Sequence, residues 1–216
     1  YGYFRDEFYY IACSENLAWG YVDQPPLSIA LLKLSGFLFG DSLWAIRVFP
    51  ALAGAGVIFF TGLIVMKLGG KRFEVLLAGI GGLIAPIFLA MHGFYSMNAF
   101  DHLFWVGAVY ILMLIIEKPS LSLWILLGFV LGLGLMNKIS VLWLGAGIFM
   151  GLVLTPNRIL LKSKEPYLAA FIAFFIFMPY IIWQQVYNWP LIEFMVNASS
   201  NKYVERSLLD FISGVT

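Results

Sequence analysis

The sequence has few charged residues. Only 12% of its 216 residues are Asp, Glu, Lys or Arg, whereas about a quarter of the residues in a typical soluble domain are charged. Hydrophobic residues make up 62% of the chain, and the mean hydropathy is +0.90. Because so few polar side chains cannot cover a water-soluble globule, the composition predicts an integral membrane protein.

Cysteine and basic clusters are also nearly absent. Cys13 is the only cysteine, which excludes an intrachain disulfide and a metal site built from thiolates. The net charge is +1 and no basic cluster occurs, so nothing favours binding to nucleic acid.

The chain starts at Tyr1 without a methionine or a signal peptide. We therefore interpret it as a piece of a longer protein, with a preceding transmembrane helix and a C-terminal part.

The segment 1–42 is predicted to contain two short helices. The first is Asp6–Trp19, capped by Asp6 and ended by Gly20. Pro25-Pro26 suits the start of the second, Leu27–Phe39. A helix of this length rises about 20 Å, less than the roughly 30 Å hydrocarbon core of a bilayer. We therefore expect Leu27–Phe39 to lie in the membrane interface.

Six longer apolar runs predict an all-α fold with a polytopic transmembrane bundle over residues 43–186. The runs are Leu43–Met66, Val75–Met91, His102–Ile116, Leu121–Met136, Ile139–Leu154 and Tyr167–Val186. Only Asn137-Lys138 separate the fourth run from the fifth, which favours two tilted spans with a tight turn over a re-entrant pair. Pro86 and Pro179 are expected to kink their spans. Residues 187–216 are predicted to form an outer segment that leads to the C-terminal part.

Basic residues predict which end of the bundle faces the cytoplasm. Successive loops of a polytopic bundle lie on alternate sides of the membrane. The loops on the side opposite to segment 1–42 carry Lys67, Lys71, Arg72, Lys118, Arg158, Lys162 and Lys164. By the positive-inside rule, these loops are cytoplasmic, and segment 1–42 is an extracytoplasmic loop at the cell (inner) membrane. The outer aromatic belt then consists of Trp19, Tyr21, Trp44, Tyr95, Trp105, Trp183 and Trp189.

Acidic residues at the outer end are the first candidates for chemistry. Asp6 and Glu7 precede the apolar runs, and Asp101 lies in the second outer loop or at the start of the next span. An arbitrary acidic pair is most often a solvated loop, but an ionisable residue near membrane depth indicates a function. If these carboxylates converge, one can accept a proton from an acceptor hydroxyl. Another can orient that hydroxyl or bind a divalent cation, for which Asp23 is a further candidate ligand.

Two cations are predicted at the same end. Lys138 lies in the outer turn after the fourth run, and Arg47 lies near the outer end of the first span. Each one alone is typical of a snorkelling side chain at a helix end. Beside carboxylates, they favour contact with a lipid phosphate or a phosphate leaving group. His92 and His102 match no metal-ligand spacing and are expected to have structural roles.

Several motifs follow one another in an order that is more specific than any one of them. They are Gly2-Tyr3-Phe4-Arg5-Asp6-Glu7-Phe8-Tyr9-Tyr10, Tyr21-Val22-Asp23-Gln24-Pro25-Pro26-Leu27, Ala45-Ile46-Arg47-Val48-Phe49-Pro50-Ala51-Leu52, Asn98-Ala99-Phe100-Asp101 and Gly132-Leu133-Gly134-Leu135-Met136-Asn137-Lys138. In this order the chain resembles glycosyltransferase family 39 over almost its whole length. These are membrane enzymes of the GT-C fold, similar to protein O-mannosyltransferases and to the aminoarabinose transferases that modify lipid A.

The resemblance implies a membrane glycosyltransferase. The family transfers a sugar from a polyprenyl-phosphate donor to an acceptor hydroxyl, with inversion, outside the cytoplasmic membrane. By position, Asp6 resembles the catalytic base, with Glu7 beside it, and Asp101 resembles the second carboxylate of the site. Lys138 resembles a contact to the donor phosphate, and we assign Arg47 to the same role.

The resemblance also bears on the partners and on one departure from the family pattern. Asp23-Gln24-Pro25 is similar to an acid-lysine-proline segment of the aminoarabinose branch, and Gln24, in place of the lysine, is predicted to contact the donor phosphate. The implied partners are a polyprenyl-phosphate-linked sugar, membrane lipid, and a lipid, protein or polysaccharide acceptor. No cofactor is certain, and a divalent cation held by Asp6, Asp23 and Asp101 stays open.

Two functions from other classes stay open on the residues alone. A secondary transporter or lipid flippase could use Asp101 and Lys138 as an ion path, but it requires charges near the bilayer midplane and paired broken helices. A non-catalytic scaffold subunit would tolerate the loss of every outer carboxylate. Because the charges cluster at one predicted surface, the sequence favours the glycosyltransferase.

Overall fold

The computed structural model describes residues 2–201, which are almost entirely helical and contain no strand. The α-helices are α1 (Arg5–Glu15), α2 (Leu27–Phe39), α3 (Leu43–Lys67), α4 (Arg72–Ile84), α5 (Pro86–Gly93), α6 (Met97–Glu117), α7 (Leu121–Asn137), α8 (Val141–Leu154), α9 (Glu165–Val186) and α10 (Pro190–Asn201). A 3-10 helix, Pro156–Lys162, follows α8. The predicted all-α fold class is confirmed. Tyr1 and residues 202–216, which belong to the two predicted outer segments, lie outside the described residues.

Three helices are each long and apolar enough to cross a membrane, namely α3, α6 and α9. Two more spans result if each bent pair counts as one: α4 with α5, bent by 64°, and α8 with the 3-10 helix, bent by 110°. Helix α7 has 17 residues, at the lower limit for a spanning helix. The described residues thus form a helical membrane bundle with three to five candidate spans, where the sequence predicts about six.

The second predicted span is broken at Pro86 and not merely kinked. Ala85 has an extended backbone, with φ −67° and ψ 119°, as expected for a residue before proline, and it ends α4. Pro86 then starts α5 in a new direction. Pro179, in contrast, lies inside α9, which continues through it. The sequence reveals both prolines, but the packing around each one decides whether the helix continues.

Helix α1 starts before Asp6 and ends earlier than predicted. Its N-cap residue is Phe4, so Asp6 lies in the first turn and does not cap the helix. The helix ends at Glu15, short of the predicted Trp19. The Tyr21 hydroxyl lies 3.3 Å from the Cys13 carbonyl, 3.1 Å from the Asn16 carbonyl and 3.2 Å from the Ala18 N–H. A side chain from the following loop thus takes the place of the next helical turn.

Helix α2 has the bounds that the sequence predicts. It ends at Gly40, whose φ of +77° lies in the region that favours glycine. Ile29 and Leu32 are buried against α1 and α3, whereas the Phe37 side chain is 85% exposed. An apolar ring exposed to this degree fits the predicted position in the membrane interface.

Two predicted spans near the site acquire clear bounds. The run His102–Ile116 is extended by the residues before it, so that α6 starts at Met97 and Asp101 lies inside the helix. Helices α7 and α8 are separate helices, joined by the short turn Lys138–Ser140. The fourth and fifth runs are therefore two helices joined by a tight turn. That both cross the membrane stays a prediction, since α7 has 17 residues and α8 has 14.

Small residues bring α7 and α9 into close contact. A Cβ atom on Gly128 would lie 2.6 Å from the Ala169 carbonyl oxygen, and one on Gly132 would lie 3.1 Å from the Ala173 Cα. Because both residue numbers increase together along the contact, the two helices run in the same direction. Glycine and alanine at four-residue spacing permit this approach, as in other membrane helix pairs.

Side-chain contacts define two ends of the bundle. Lys67 and Glu117, at the last residues of α3 and α6, form an ion pair at one end. The first turns of the same helices, with Arg47 and Asp101, therefore lie at the other end. Segment 1–42 and the turn between α7 and α8 contact these first turns. We call this second end the acidic end, because Asp6, Glu7, Asp23 and Asp101 all belong to it.

Tyr95, predicted in the outer aromatic belt, is instead fully buried. Its hydroxyl donates to the Ser28 carbonyl, and its ring packs edge-on against Tyr10 with the ring centroids 5.4 Å apart. It therefore fixes α2 to the loop before α6. Trp19 and Trp44 are 61% and 65% exposed, in keeping with the predicted belt.

Candidate functional site

The Glu7 carboxylate joins three parts of the chain at the acidic end. Its side chain is fully buried and accepts four hydrogen bonds. Arg47 Nε donates to Oε1 at 2.9 Å and Arg47 Nη2 donates to Oε2 at 2.8 Å, so the ion pair is bidentate. The backbone N–H groups of Phe4 and Tyr95 supply the other two hydrogen bonds, at 2.7 and 2.8 Å. Helix α1 is thereby fixed to α3 and to the loop between α5 and α6.

These contacts lower the pKa of Glu7. Burial by itself would raise the pKa, because a buried carboxylate lacks the water that stabilises its charged form. The hydrogen bonds from Arg47 and from the N–H groups of Phe4 and Tyr95 outweigh burial, and the pKa lies below its ordinary value of 4.5. Glu7 is therefore ionised at neutral pH, and its oxygens are occupied by donors from the protein.

Two of the three residues predicted to contact the donor phosphate are turned toward the protein. Arg47 is committed to Glu7, and its Nη2 also donates to the Gly2 carbonyl at 3.0 Å. The Gln24 side chain is only 1% exposed, and its amide oxygen and nitrogen have no hydrogen-bond partner within the described part of the chain. A phosphate would have to displace neighbouring parts of the protein to reach Gln24.

The third, Lys138, lies beside Asp101. Lys138 Nζ is 3.6 Å from Asp101 Oδ2 and donates to Asn98 Oδ1 at 2.7 Å. The Ser140 hydroxyl lies 2.9 Å from both carboxylate oxygens of Asp101. Lys138 and Asp101 side chains are 31% and 14% exposed, so the pair is accessible from one side. The structure thus brings a predicted acid and a predicted phosphate contact into one cluster.

The other two predicted acids lie on segment 1–42. The Tyr9 hydroxyl donates to Asp23 Oδ1 at 2.5 Å. Burial and this hydrogen bond raise the pKa of Tyr9, so the phenol keeps its proton. Asp6 is half exposed and contacts only its exposed neighbour Arg5, at 3.2 Å, among the described ion pairs. Of the predicted carboxylates, Asp6 is the one best able to accept a proton from a molecule outside the chain.

Tyr10 links these acids to the helix that carries Asp101. Its hydroxyl accepts a hydrogen bond from the Met97 N–H at 3.0 Å, at the first residue of α6. The pKa of Tyr10 is raised to about 12, chiefly by burial and also by the nearby carboxylates of Asp23 and Asp6. Tyr10, which is under the influence of both carboxylates, thus contacts α6 at Met97, one helical turn before Asp101.

Metal binding stays a prediction. Within residues 2–201, no group of three or more His, Cys, Asp and Glu side chains is arranged to hold a metal ion. Asp23, the predicted metal ligand, is bound to Tyr9. His92 and His102 pack with their rings tilted by 39° and the ring centroids 5.6 Å apart, and His92 Nδ1 contacts the Phe88 carbonyl at 2.9 Å, as in a structural role.

An apolar groove of about 530 Å³ lies between α7, α8 and α9. Its lining includes Leu131, Leu135, Val141, Phe174 and Phe177. Leu135 and Val141 stand on either side of Lys138 in the sequence, at the end of α7 and the start of α8. The groove therefore extends from the apolar part of the bundle to the helix ends that flank the turn with Lys138.

Sequence reasoning missed Asn98, Ser140, Tyr9 and Tyr10. None of them is charged, and a hydroxyl or an amide alone indicates little in a loop. For two of them the spacing could have been the signal. Asn98 lies one helical turn before Asp101, and Ser140 lies two residues after Lys138. Residues one turn apart share a helix face, so Asn98 belongs beside Asp101 once α6 is extended to Met97.

Comparison with known proteins indicates the family of the chain. Residues 23–183 match the family model described as dolichyl-phosphate-mannose-protein mannosyltransferase. The chain is 26% identical over 187 residues to a Bacillus subtilis protein described as "Putative mannosyltransferase YkcB". That alignment covers 86% of this chain and 25% of the relative, so the chain spans about a quarter of the length of the curated relative that it matches. No solved structure matches the chain significantly.

Proposed function

Because the chain belongs to the dolichyl-phosphate-mannose-protein mannosyltransferase family, we propose that it forms the acceptor-activating and donor-binding part of a membrane glycosyltransferase. The reaction moves a sugar from a polyprenyl-phosphate donor to an acceptor hydroxyl at the extracytoplasmic face. Mannose is the first sugar to test, since the family and the matched relative are both described as mannosyltransferases.

The observation that carries this proposal is the acidic end of the bundle. It combines a half-exposed carboxylate, Asp6, with a cation, Lys138, whose helix also lines an apolar groove. A lipid-linked sugar needs these three features together: a proton acceptor, a cation for the phosphate and an apolar surface for the chain. We place the polyprenyl chain in the groove between α7, α8 and α9.

In the proposed reaction, Asp6 accepts the proton of the acceptor hydroxyl. The hydroxyl oxygen forms a bond to the anomeric carbon of the sugar, on the face opposite the phosphate. The bond from that carbon to the phosphate oxygen breaks, and the phosphate leaves with the electron pair. One displacement of this kind inverts the anomeric centre. Lys138 stabilises the charge of the leaving phosphate.

The structure also supports distinct roles for Glu7 and Arg47. Since the oxygens of Glu7 are occupied by donors from the protein, we propose that it positions α1, and therefore Asp6, without itself accepting the proton. Arg47 holds Glu7 in place and contributes positive charge to the same region. Asp101 orients Lys138 and stands beside the donor phosphate.

Transfer assays on the full-length protein test this function. We expect Asp6→Asn to lower transfer from polyprenyl-phosphate-mannose by about 100-fold or more, the usual range for loss of an acid–base group. Asp101→Asn should also lower transfer strongly, because Asp101 orients the cation that stabilises the leaving phosphate. Glu117→Gln is the matched control, since this exposed carboxylate belongs to the opposite end of the bundle. Normal turnover in both aspartate variants, with all proteins inserted equally, would contradict the proposal.

A transporter or flippase is less well supported. The two breaks in the described helices occur at Ala85 and at Thr155, and neither carries Asp101 or Lys138. The charged cluster lies at the acidic end of the bundle, between α6 and the turn that joins α7 to α8. Substrate uptake by proteoliposomes without any glycosyl transfer would reverse this ranking.

A further inference from the structure

The turn between α7 and α8 is attached to the first turn of α6 by a row of side-chain contacts. The row consists of Asn137 Nδ2 to the Met97 carbonyl at 2.9 Å, Lys138 to Asn98 at 2.7 Å, and Ser140 to both oxygens of Asp101 at 2.9 Å. Asn137 is fully buried, so the turn is held firmly against α6. The charged side chains of Lys138 and Asp101 and the neutral side chains of Asn98 and Ser140 thus face one another at fixed positions.

The distance between the two charges in this row is longer than a hydrogen bond. Lys138 Nζ and Asp101 Oδ2 are 3.6 Å apart, whereas a charge-assisted N–H···O contact is about 2.7 to 2.9 Å long. The lysine stem is flexible, and opposite charges in a partly buried site attract strongly. Contacts from neighbouring residues can hold the ammonium and the carboxylate at this distance.

Asn98 and Ser140 make those contacts. Asn98 Oδ1 holds the ammonium of Lys138 on one side, and the Ser140 hydroxyl holds the carboxylate of Asp101 on the other. An ammonium has three N–H donors. With one donor on Asn98 and one turned toward Asp101, a third stays available for an outside anion. If the ion pair closed, direct contact with Asp101 would neutralise more of the ammonium's charge, and Lys138 would bind that anion less well.

We propose that Asn98 and Ser140 are positioning residues that hold Lys138 and Asp101 apart, so that the ammonium can bind the phosphate of the lipid donor. This inference rests on the proposed function, because it takes the anion to be a polyprenyl phosphate. Ser140 acts on the phosphate only through Asp101, and Asn98 acts only through Lys138. The two neutral residues therefore determine donor affinity without touching the sugar.

The test measures binding of undecaprenyl phosphate, without a sugar, to the full-length protein in detergent. We expect Ser140→Ala and Asn98→Ala each to raise the dissociation constant roughly 3- to 10-fold, in line with the loss of one hydrogen bond to a charged group. Ser140→Thr keeps the hydroxyl and should bind as the wild type does. Ser163→Ala is the matched control, since it removes a hydroxyl bonded to the Leu160 carbonyl beyond the other end of α8.

A double-mutant comparison separates positioning from general damage. In an Asp101→Asn background the charge that could close on Lys138 is gone, so adding Ser140→Ala should have no further effect on binding. An equal loss in both backgrounds would overturn the proposal, as would wild-type affinity in Ser140→Ala while Lys138→Ala loses binding. If the wild type itself neither binds undecaprenyl phosphate nor transfers sugar, the proposed function fails together with this inference.

Discussion

Glu7 and Arg47 form a bidentate ion pair in which the carboxylate is fully buried. Replacing Glu7 by glutamine removes the charge that Arg47 faces and places an amide N–H₂ group against a donor. We expect Glu7→Gln to lower the free energy of unfolding by about 3 kcal/mol, the lower part of the range for breaking a buried pair, because Arg47 is partly exposed. Thermal unfolding of the detergent-solubilised protein measures the effect. The control Glu15→Gln alters an exposed carboxylate, and equal melting temperatures for both variants would argue against a structural role for Glu7.

The lowered pKa of Glu7 also predicts a pH dependence. A carboxylate with a folded-state pKa below its unfolded value stabilises the fold above the unfolded pKa, here about 4.5. That stabilisation is lost as the pH falls through the lower, folded-state pKa. Melting temperatures measured from pH 7 to pH 3 should therefore drop more steeply below pH 4.5 for the wild type than for Glu7→Gln. Parallel curves for the two proteins would show that Glu7 is not the group responsible.

At the level of single residues, the sequence located charges better than it assigned their roles. It indicated that Asp101 and Lys138 share one end, because helix order alternates the loops between two sides, and the two residues do form a pair. It treated Glu7 and Arg47 as separate site residues, whereas they satisfy each other. Pairing across 40 residues depends on how α1 lies on α3, which no local pattern contains.

Close packing of α7 on α9 gives a prediction at the level of elements. In Gly128→Ala the new methyl group would meet the Ala169 carbonyl oxygen, a backbone atom that cannot turn aside. Overpacking of this kind costs about 1 to 3 kcal/mol, so the melting temperature should fall. Gly145→Ala is the control, because a Cβ atom there meets nothing within 4 Å. Alanine at position 145 should be neutral or stabilising by up to about 1 kcal/mol, since it favours the helix. Equal melting temperatures for the two variants would show that α7 and α9 do not pack this closely at Gly128.

Helix bounds were predictable where the chain carries its own stop signals. Helix α2 starts after Pro25-Pro26 and ends at Gly40, and both bounds agree with the structure. The end of α1 was not predictable, because the hydroxyl of Tyr21 reaches back to Cys13 and Asn16. The break at Pro86 was foreseen only as a kink, because its size depends on how α4 and α5 pack against α3.

The distribution of basic residues predicts how the whole bundle is oriented in the membrane. In a Cys13→Ser background, we expect Lys33→Cys to react with a membrane-impermeant maleimide in intact cells. Lys162→Cys should react only after permeabilisation, because positive loops stay in the cytoplasm. Both lysines are exposed at the surface of the chain, so accessibility reports the side of the membrane. The reverse labelling pattern would place the acidic end in the cytoplasm and would exclude an extracytoplasmic reaction.

The contact between Glu7 and the Tyr95 N–H spans 88 residues, and this has a consequence for the order of events during synthesis. At about 5 to 20 residues per second, roughly 4 to 18 seconds pass between the translation of one partner and that of the other. During the first part of that time Glu7 lacks both Arg47 and Tyr95 as partners. Once Arg47 has been synthesised, only the contact with Tyr95 is still missing. Segment 1–42 can settle on the bundle only after α3, α4 and α5 have left the ribosome. Asp6, the proposed base, therefore reaches its place late, when the helices of the bundle are already entering the membrane.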